Sequence, residues 1–215
     1  MFIRDHMTRN PVLCSPDLPV TEAFDLMKRE HFSRIPVVDK GGKLVGIVSD
    51  KDLVRVTPSP ATTLSAYEIP YLLSKVKVGD VMTKKVITVT EDTPIEDAAR
   101  IMVDNKIGGL PVVNENDAVM GIITETDIFK TFLELIGARR SGVRITMYVK
   151  DVRGELARVA QAVAEVGGNI VASVEMPGSD STNYEVLLKV CDAPKEALVK
   201  ALEPIAVRIV DVREG

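Results

Sequence analysis

Two short stretches pair a hydroxyl with an aspartate three positions later. GIVSDKD at residues 46–52 holds Ser49 and Asp52, and GIITETD at 121–127 holds Thr124 and Asp127. A carboxylate only accepts hydrogen bonds and can hold two donors at once, each charge-assisted bond contributing about 1.5–3 kcal/mol, so it suits the paired hydroxyls of a ribose. The hydroxyl and the free N–H groups of a helix start suit a phosphate. The same spacing also describes a helix cap, with the hydroxyl accepting from a backbone N–H and the acid beside the positive end of the helix dipole. Both readings fit either stretch alone. Capping leaves the duplication unexplained, which favours nucleotide binding.

The two stretches belong to a longer repeat. An offset of 75 residues superposes Asp5 on Asp80, Met7 on Met82, Thr8 on Thr83, Pro19 on Pro94, Met27 on Met102, Pro36 on Pro111 and Asp52 on Asp127 without a gap. Each copy runs through an MT dipeptide, a β-rich run (PVLCS, then VITVT) and a turn with DLP or DTP into an amphipathic helical segment. In the second copy, Ile95, Ala98, Ala99, Met102 and Val103 form the apolar helical face. Two apolar runs around the turn formers DKGG and NEND follow as a hairpin, and it leads into a second helix. The unit is therefore βαββα, occupying 1–56 and 79–136. Residues 57–78 read as a linker that ends in a helix around Tyr67 to Val76.

From residue 143 to 215 the rhythm changes to βαββαβ, a ferredoxin-like order, after a joint at 137–142. The fold class expected is α+β.

Composition narrows the function. The net charge is −4, with 27 basic and 31 acidic residues and no dense basic run, which argues against binding nucleic acid. Cys14 and Cys191 lie far apart without metal-ligand spacing, as do His6 and His31, so no metal site is expected. No apolar run approaches the ~18 residues of a membrane span, and the charged amino terminus is unlike a signal peptide, so the expected location is cytoplasmic. No nucleophile–base pair, catalytic carboxylate pair or metal set occurs at recognisable spacing, and no enzymatic activity is expected.

The MT openings, the PVV hairpins and the duplicated glycine-to-aspartate closings make residues 1–136 resemble a tandem pair of cystathionine-β-synthase-type (CBS) domains, a Bateman module. Residues 143–213, with VKDVRGELA at the first turn, resemble an ACT domain, although Arg153 stands where proline is common. The combination is similar to the acetoin utilisation B (AcuB) family.

That resemblance implies a regulatory protein without a catalytic cofactor, which binds AMP, ADP, ATP or S-adenosylmethionine. The aspartates would take the ribose. One site would hold Thr124 and Asp127 with Thr8, Val12, Phe32, Ser33 and Ile35, and the other Ser49 and Asp52 with Thr83, Ile87, Ile107, Gly108 and Leu110. Arg34 stands where relatives place a phosphate-contacting arginine, opposite Gly109 in the second copy, and Lys84 and Lys85 are weaker phosphate candidates. In the ACT-like part, Asp151, Arg153, Gly154, Glu155 and Leu156 with Asn169 and Ile170 mark a place for an amino acid between paired subunits. A homodimer and an unidentified regulated protein are the expected partners. A scaffold that serves only oligomerisation and docking is the competing function.

Overall fold

The helix α1 (Val20–Glu30) and its counterpart α4 (Ile95–Asn105) show how the repeat is written into structure. Each follows a proline, Pro19 or Pro94, and each ends on a residue in the left-handed region, His31 at φ 57° and Lys106 at φ 54°. The buried faces are Val20, Ala23 and Met27 in one, and Ile95, Ala98 and Met102 in the other. Val103, expected on the apolar face, is 75% exposed, because it lies one position beyond Met102 and is turned outward by 100° per residue.

The computed structural model describes residues 1–56, 73 and 75–215. The linker helix expected around Tyr67 to Val76 lies largely outside the described residues. The chain divides into two compact units, Met1–Ile128 and Phe129–Gly215, and the division falls within one helix, α5 (Glu125–Leu135).

In the first unit, each repeat contributes an antiparallel hairpin: β2 (Arg34–Val38) with β3 (Leu44–Ser49), and β4 (Gly109–Val113) with β5 (Val119–Thr124). Their registers match, Arg34 facing Ser49 as Gly109 faces Thr124, and both slip at the same place, Val37/Val38 and Val112/Val113. The expected strands PVLCS and VITVT shrink to single parallel bridges, Cys14 to Val37 and Val89 to Val112.

The MT openings cross over between the repeats. Strand β1 (Thr8–Arg9) pairs with β5 of the other repeat, and Thr83 exchanges two backbone hydrogen bonds of 2.9 and 3.0 Å with Ile47. Neither repeat is thus a closed βαββα unit. Glycine permits this crossing, because a Cβ on Gly46 would strike the Met82 sulfur and lie 3.1 Å from the Thr83 carbonyl. A Cβ on Gly121 would meet Met7 and the Thr8 carbonyl in the same way.

Two apolar clusters form the core of this unit. One joins Cys14, Val37, Val48 and Leu53 to α1, and the other joins Ile3, Met7, Leu110 and Ile123 to α4. Each hairpin ends in a helix, α2 (Asp50–Val56) or α5, and a one-turn helix α3 (Val78–Val81) opens the second repeat.

The second unit is a four-stranded antiparallel sheet in the order β7 (Asn169–Pro177), β8 (Asn183–Cys191), β6 (Val143–Lys150), β9 (Arg208–Glu214). With α6 (Glu155–Glu165) after β6 and α7 (Lys195–Leu202) after β8, this is the ferredoxin-like topology. Val159, Val163, Leu198 and Leu202 pack with Ile145, Met147, Val186 and Leu188 in one apolar cluster.

Candidate functional site

Ser49 is the last residue of β3, and α2 starts at the next position, so its hydroxyl stands at a strand–helix corner. The Ser49 N–H and hydroxyl both donate to Asp52 Oδ2, at 2.9 and 2.6 Å, while Asp52 N–H donates back to Ser49 Oγ at 3.3 Å. Thr124 N–H and hydroxyl donate to Asp127 Oδ2 at 3.0 and 2.7 Å in the other repeat. At Ser49 this is a capping box with aspartate in place of the usual glutamate, and the Thr124 corner repeats its carboxylate half. The cap is therefore real at both corners.

It does not consume the whole carboxylate at Asp52. With Oδ2 occupied by the cap, Oδ1 faces Arg55 at 3.9 Å, and that guanidinium side chain is 81% exposed. A solvated pair of that length holds the carboxylate weakly. Oδ1 is the oxygen that the cap leaves over.

The helix start itself has little left for a phosphate. The N–H of Asp50 donates to the Ser33 carbonyl at 3.0 Å, that of Lys51 to Asp50 Oδ1 at 2.8 Å, and that of Asp52 to Ser49 Oγ. The three donors expected to cradle an anion are engaged within the chain, a correction to the reading from sequence. Any phosphate here has to be held by side chains.

A cavity of about 340 Å³ opens beside this corner, within the usual range of about 300–1,000 Å³ for small-molecule sites. Ser49, Asp52 and Ile47 wall it from the first repeat, and Thr83, Ile87, Ile107 and Gly108 from the second. Six of the seven residues expected at this site are thus together. Leu110 is not, since it is fully buried in the core behind the wall.

Arg34 also reaches this cavity, beside Gly108 and Gly109. A Cβ on Gly108 would collide with the Arg34 guanidinium and lie 2.6 Å from Glu125 Oε2, so glycine makes the room in which the arginine lies. Its Nη1 donates to Ser33 Oγ at 3.0 Å. Lys85 is on the wall, and so are three residues the sequence reading passed over, Lys51, Arg55 and Lys106. Lys51 and Arg55 could have been found by extending the corner motif along the first turns of α2; Lys106 carries no sequence signal beyond its place at the helix end.

Around the second corner, Asp127 is buried, Thr8 is exposed in β1, Val12 is 40% exposed, and Phe32 and Ser33 are half-buried. Ile35 is fully buried in the apolar core with Val37 and Val48 and offers no surface to a ligand.

In the second unit, a wider cavity of about 800 Å³ lies at the turn from β6 into α6. Asp151, Gly154, Glu155 and Leu156 line it, with Glu175, Asp180 and Tyr184 opposite. Gly154 takes φ 85°, a left-handed turn open to glycine at little cost. Glu155 is almost entirely buried: its Oε2 accepts from Arg158 at 2.8 Å, and its Oε1 has no hydrogen-bond partner. The Tyr184 phenol is held above its ordinary pKa, first by burial and then by the negative charges of Glu175, Glu155 and Asp151.

Arg153 is exposed and off this wall, while Asn169 and Ile170 start β7 opposite Cys191 and Val190. A nine-residue strand rises about 3.3 Å per residue, which sets these two at the far end of the sheet from the cavity.

Among the described residues, no group of histidines, cysteines and acids could hold a metal ion, and no helix is long and apolar enough to cross a membrane.

Residues 3–59 and 78–134, more than half of the chain, match the CBS domain family, and the chain belongs to it. An uncharacterized protein of Methanocaldococcus jannaschii, MJ1426, is 34% identical over 62% of this chain and 92% of its own length. The chain spans less than two thirds of several other curated relatives. Among solved structures, the CBS domain pair of protein MJ0100 in complex with 5′-methylthioadenosine and S-adenosyl-L-methionine is 28% identical, with TM-score 0.51, over 61% of this chain and 99% of that one. CBSX2 from Arabidopsis thaliana in complex with AMP is 31% identical, with TM-score 0.52, over 65% of this chain and 98% of that one.

Proposed function

We propose that this chain is a ligand-sensing regulator that binds an adenine nucleotide or S-adenosyl ligand in the cavity at Ser49 and Asp52, and at the related corner of Thr124 and Asp127, to control a partner protein. The carrying observation is that cavity: it is bounded by both repeats and has a carboxylate oxygen left over from the cap. Asp52 Oδ1 takes the ribose hydroxyls, and Ile87 and Ile107 supply apolar surface for the adenine. The two solved relatives whose ligands are adenosyl compounds support the same class of ligand.

Sensing requires that the ligand prefer one arrangement of the chain over another, since equal affinity for both shifts nothing. Titration calorimetry with AMP, ADP, ATP and S-adenosylmethionine on the wild type, on Asp52→Ala and on Asp127→Ala tests the reading. Binding lost in one variant assigns the occupied corner. Absence of binding by all four to the wild type would leave the docking scaffold as the function.

A second ligand at the other unit is favoured by the orphan oxygen of Glu155. We read residues 143–215 as an ACT-type domain whose cavity at the β6–α6 turn takes the amino group of an amino acid on that oxygen. Pairing two copies antiparallel along the β7 edge would bring Asn169 and Ile170 of one copy toward the Pro177 end of the other, completing the site in a homodimer. Control of acetoin utilisation is the pathway suggested by the resemblance to the AcuB family.

A further inference from the structure

We infer that the Ser49–Asp52 cavity selects a nucleoside di- or triphosphate over a monophosphate or a sulfonium-bearing adenosyl compound, and that its pseudo-symmetric counterpart lacks this preference. The inference rests on the nucleotide-binding reading and names its ligand. Five cationic side chains border the cavity, Arg34, Lys51, Arg55, Lys85 and Lys106, against the carboxylate of Asp52 on its wall and that of Glu125 beside Gly108 and Arg34. The local excess is three positive charges in a chain whose net charge is −4.

Such a concentration is not a property of the repeat. At an offset of 75 residues, Lys51 becomes Thr126, Lys85 becomes Asn10 and Lys106 becomes His31, while Gly109 stands where Arg34 would be; Arg55 alone keeps a cation, Lys130. Four of the five cations belong to one corner only. The exchange of Arg34 for Gly109 adds to the same side twice, because Arg34 extends over Gly108 and Gly109 into the cavity of the first corner.

Charge complementarity then decides between ligands. The backbone N–H groups of Asp50, Lys51 and Asp52 are occupied, so an anion is bound here by these side chains. One phosphate carries about two negative charges, fewer than the local excess, and a chain of phosphates supplies more charge and more acceptors to the dispersed cations. A sulfonium would bring a positive charge into a field already positive.

Titration calorimetry on the full chain with ATP, ADP, AMP and S-adenosylmethionine, at low and at physiological ionic strength, reads the preference. ATP and ADP should bind about tenfold or more tighter than AMP, and S-adenosylmethionine weaker than AMP, with the ATP margin shrinking as salt is added. The exposed pair Lys85→Gln and Lys106→Asn should erase most of that margin, lowering ATP and ADP affinity by a larger factor than AMP affinity. His31→Asn with Thr126→Ala, at the other corner, should leave it intact. AMP or S-adenosylmethionine binding as tightly as ATP, or a margin that survives the lysine changes, overturns the polyphosphate inference and leaves nucleotide sensing standing. Failure of every adenosyl ligand to bind defeats the sensing reading itself.

Discussion

With Oδ2 of Asp52 engaged by the Ser49 N–H and hydroxyl, and Oδ1 3.9 Å from Arg55 on the cavity wall, substitutions at this pair should separate folding from binding. Ser49→Ala removes the cap hydroxyl and should cost about 1 kcal/mol, a drop of a few degrees in Tm by calorimetry. Asp52→Asn keeps a cap acceptor but loses the charge, so Tm should hold while nucleotide affinity falls about tenfold or more, in line with a charge-assisted bond of about 1.5–3 kcal/mol. An Asn variant that binds nucleotide normally would reduce this aspartate to a cap. The cysteines give a test of burial that is independent of the site. Cys14 is buried in the first unit's core, which pushes its thiol up to about 11, while Cys191 is partly accessible. At pH 8 a disulfide reagent should therefore label Cys191 quickly and Cys14 slowly. Because the folded pKa of Cys14 lies above its ordinary value near 9, its contribution to stability is complete below pH 9 and lost as pH rises through about 11; Cys14→Ala should flatten that part of the denaturation profile. At this scale the sequence exposed the acid–hydroxyl pairs because their duplication survives in residue types. It did not expose Lys106 or the capture of the Asp50 N–H, since those depend on where a distant helix end and Ser33 come to lie, whereas the Asp52 N–H on Ser49 is the cap the spacing offered.

Between the residue and the molecule stands the crossing of the MT segments. Gly46 and Gly121 lie directly under Thr83 and Thr8, so any side chain there has to push the other repeat's opening strand away. Gly46→Ala and Gly121→Ala should each destabilise the first unit by about 1–3 kcal/mol, read as an earlier midpoint in urea. Gly42→Ala provides the contrast: its left-handed φ of 80° opposes a side chain, yet a Cβ there meets no neighbour. Gly46 and Gly121 do not have a positive φ, so unchanged stability on substituting either would remove the crossing as their reason. The glycines were visible in the repeat, but their reason was not. A two-residue strand such as β1 has too few positions to show an alternation, and only its pairing with β5 reveals that the repeats share strands. The hairpins were readable because their turn formers and apolar runs are local, and the β6-to-β9 order was readable because its strands are long enough to show their pattern.

For the molecule as a whole, a sensor with ligands at two units is subject to thermodynamic reciprocity. If a nucleotide at the Ser49–Asp52 cavity changes the affinity of the Glu155 cavity for an amine-bearing ligand, that ligand has to change nucleotide affinity by the same factor. The sensing reading thus makes a quantitative demand that a scaffold with two unrelated cavities escapes. Titrating ATP in the absence and presence of a saturating amino acid, with each of the standard amino acids as a probe, measures the factor in one direction; titrating the active amino acid with and without ATP measures it in the other. Coupling of about 1–3 kcal/mol, a change of about fivefold to 150-fold, is the range expected for allosteric proteins. Glu155→Gln should abolish the effect of the amino acid on ATP without changing ATP binding alone, because Glu155 belongs to the second unit and its orphan oxygen is the group asked to hold the amine. Two finite affinities with no mutual influence would mean that the chain binds at both places without relaying either signal to the other.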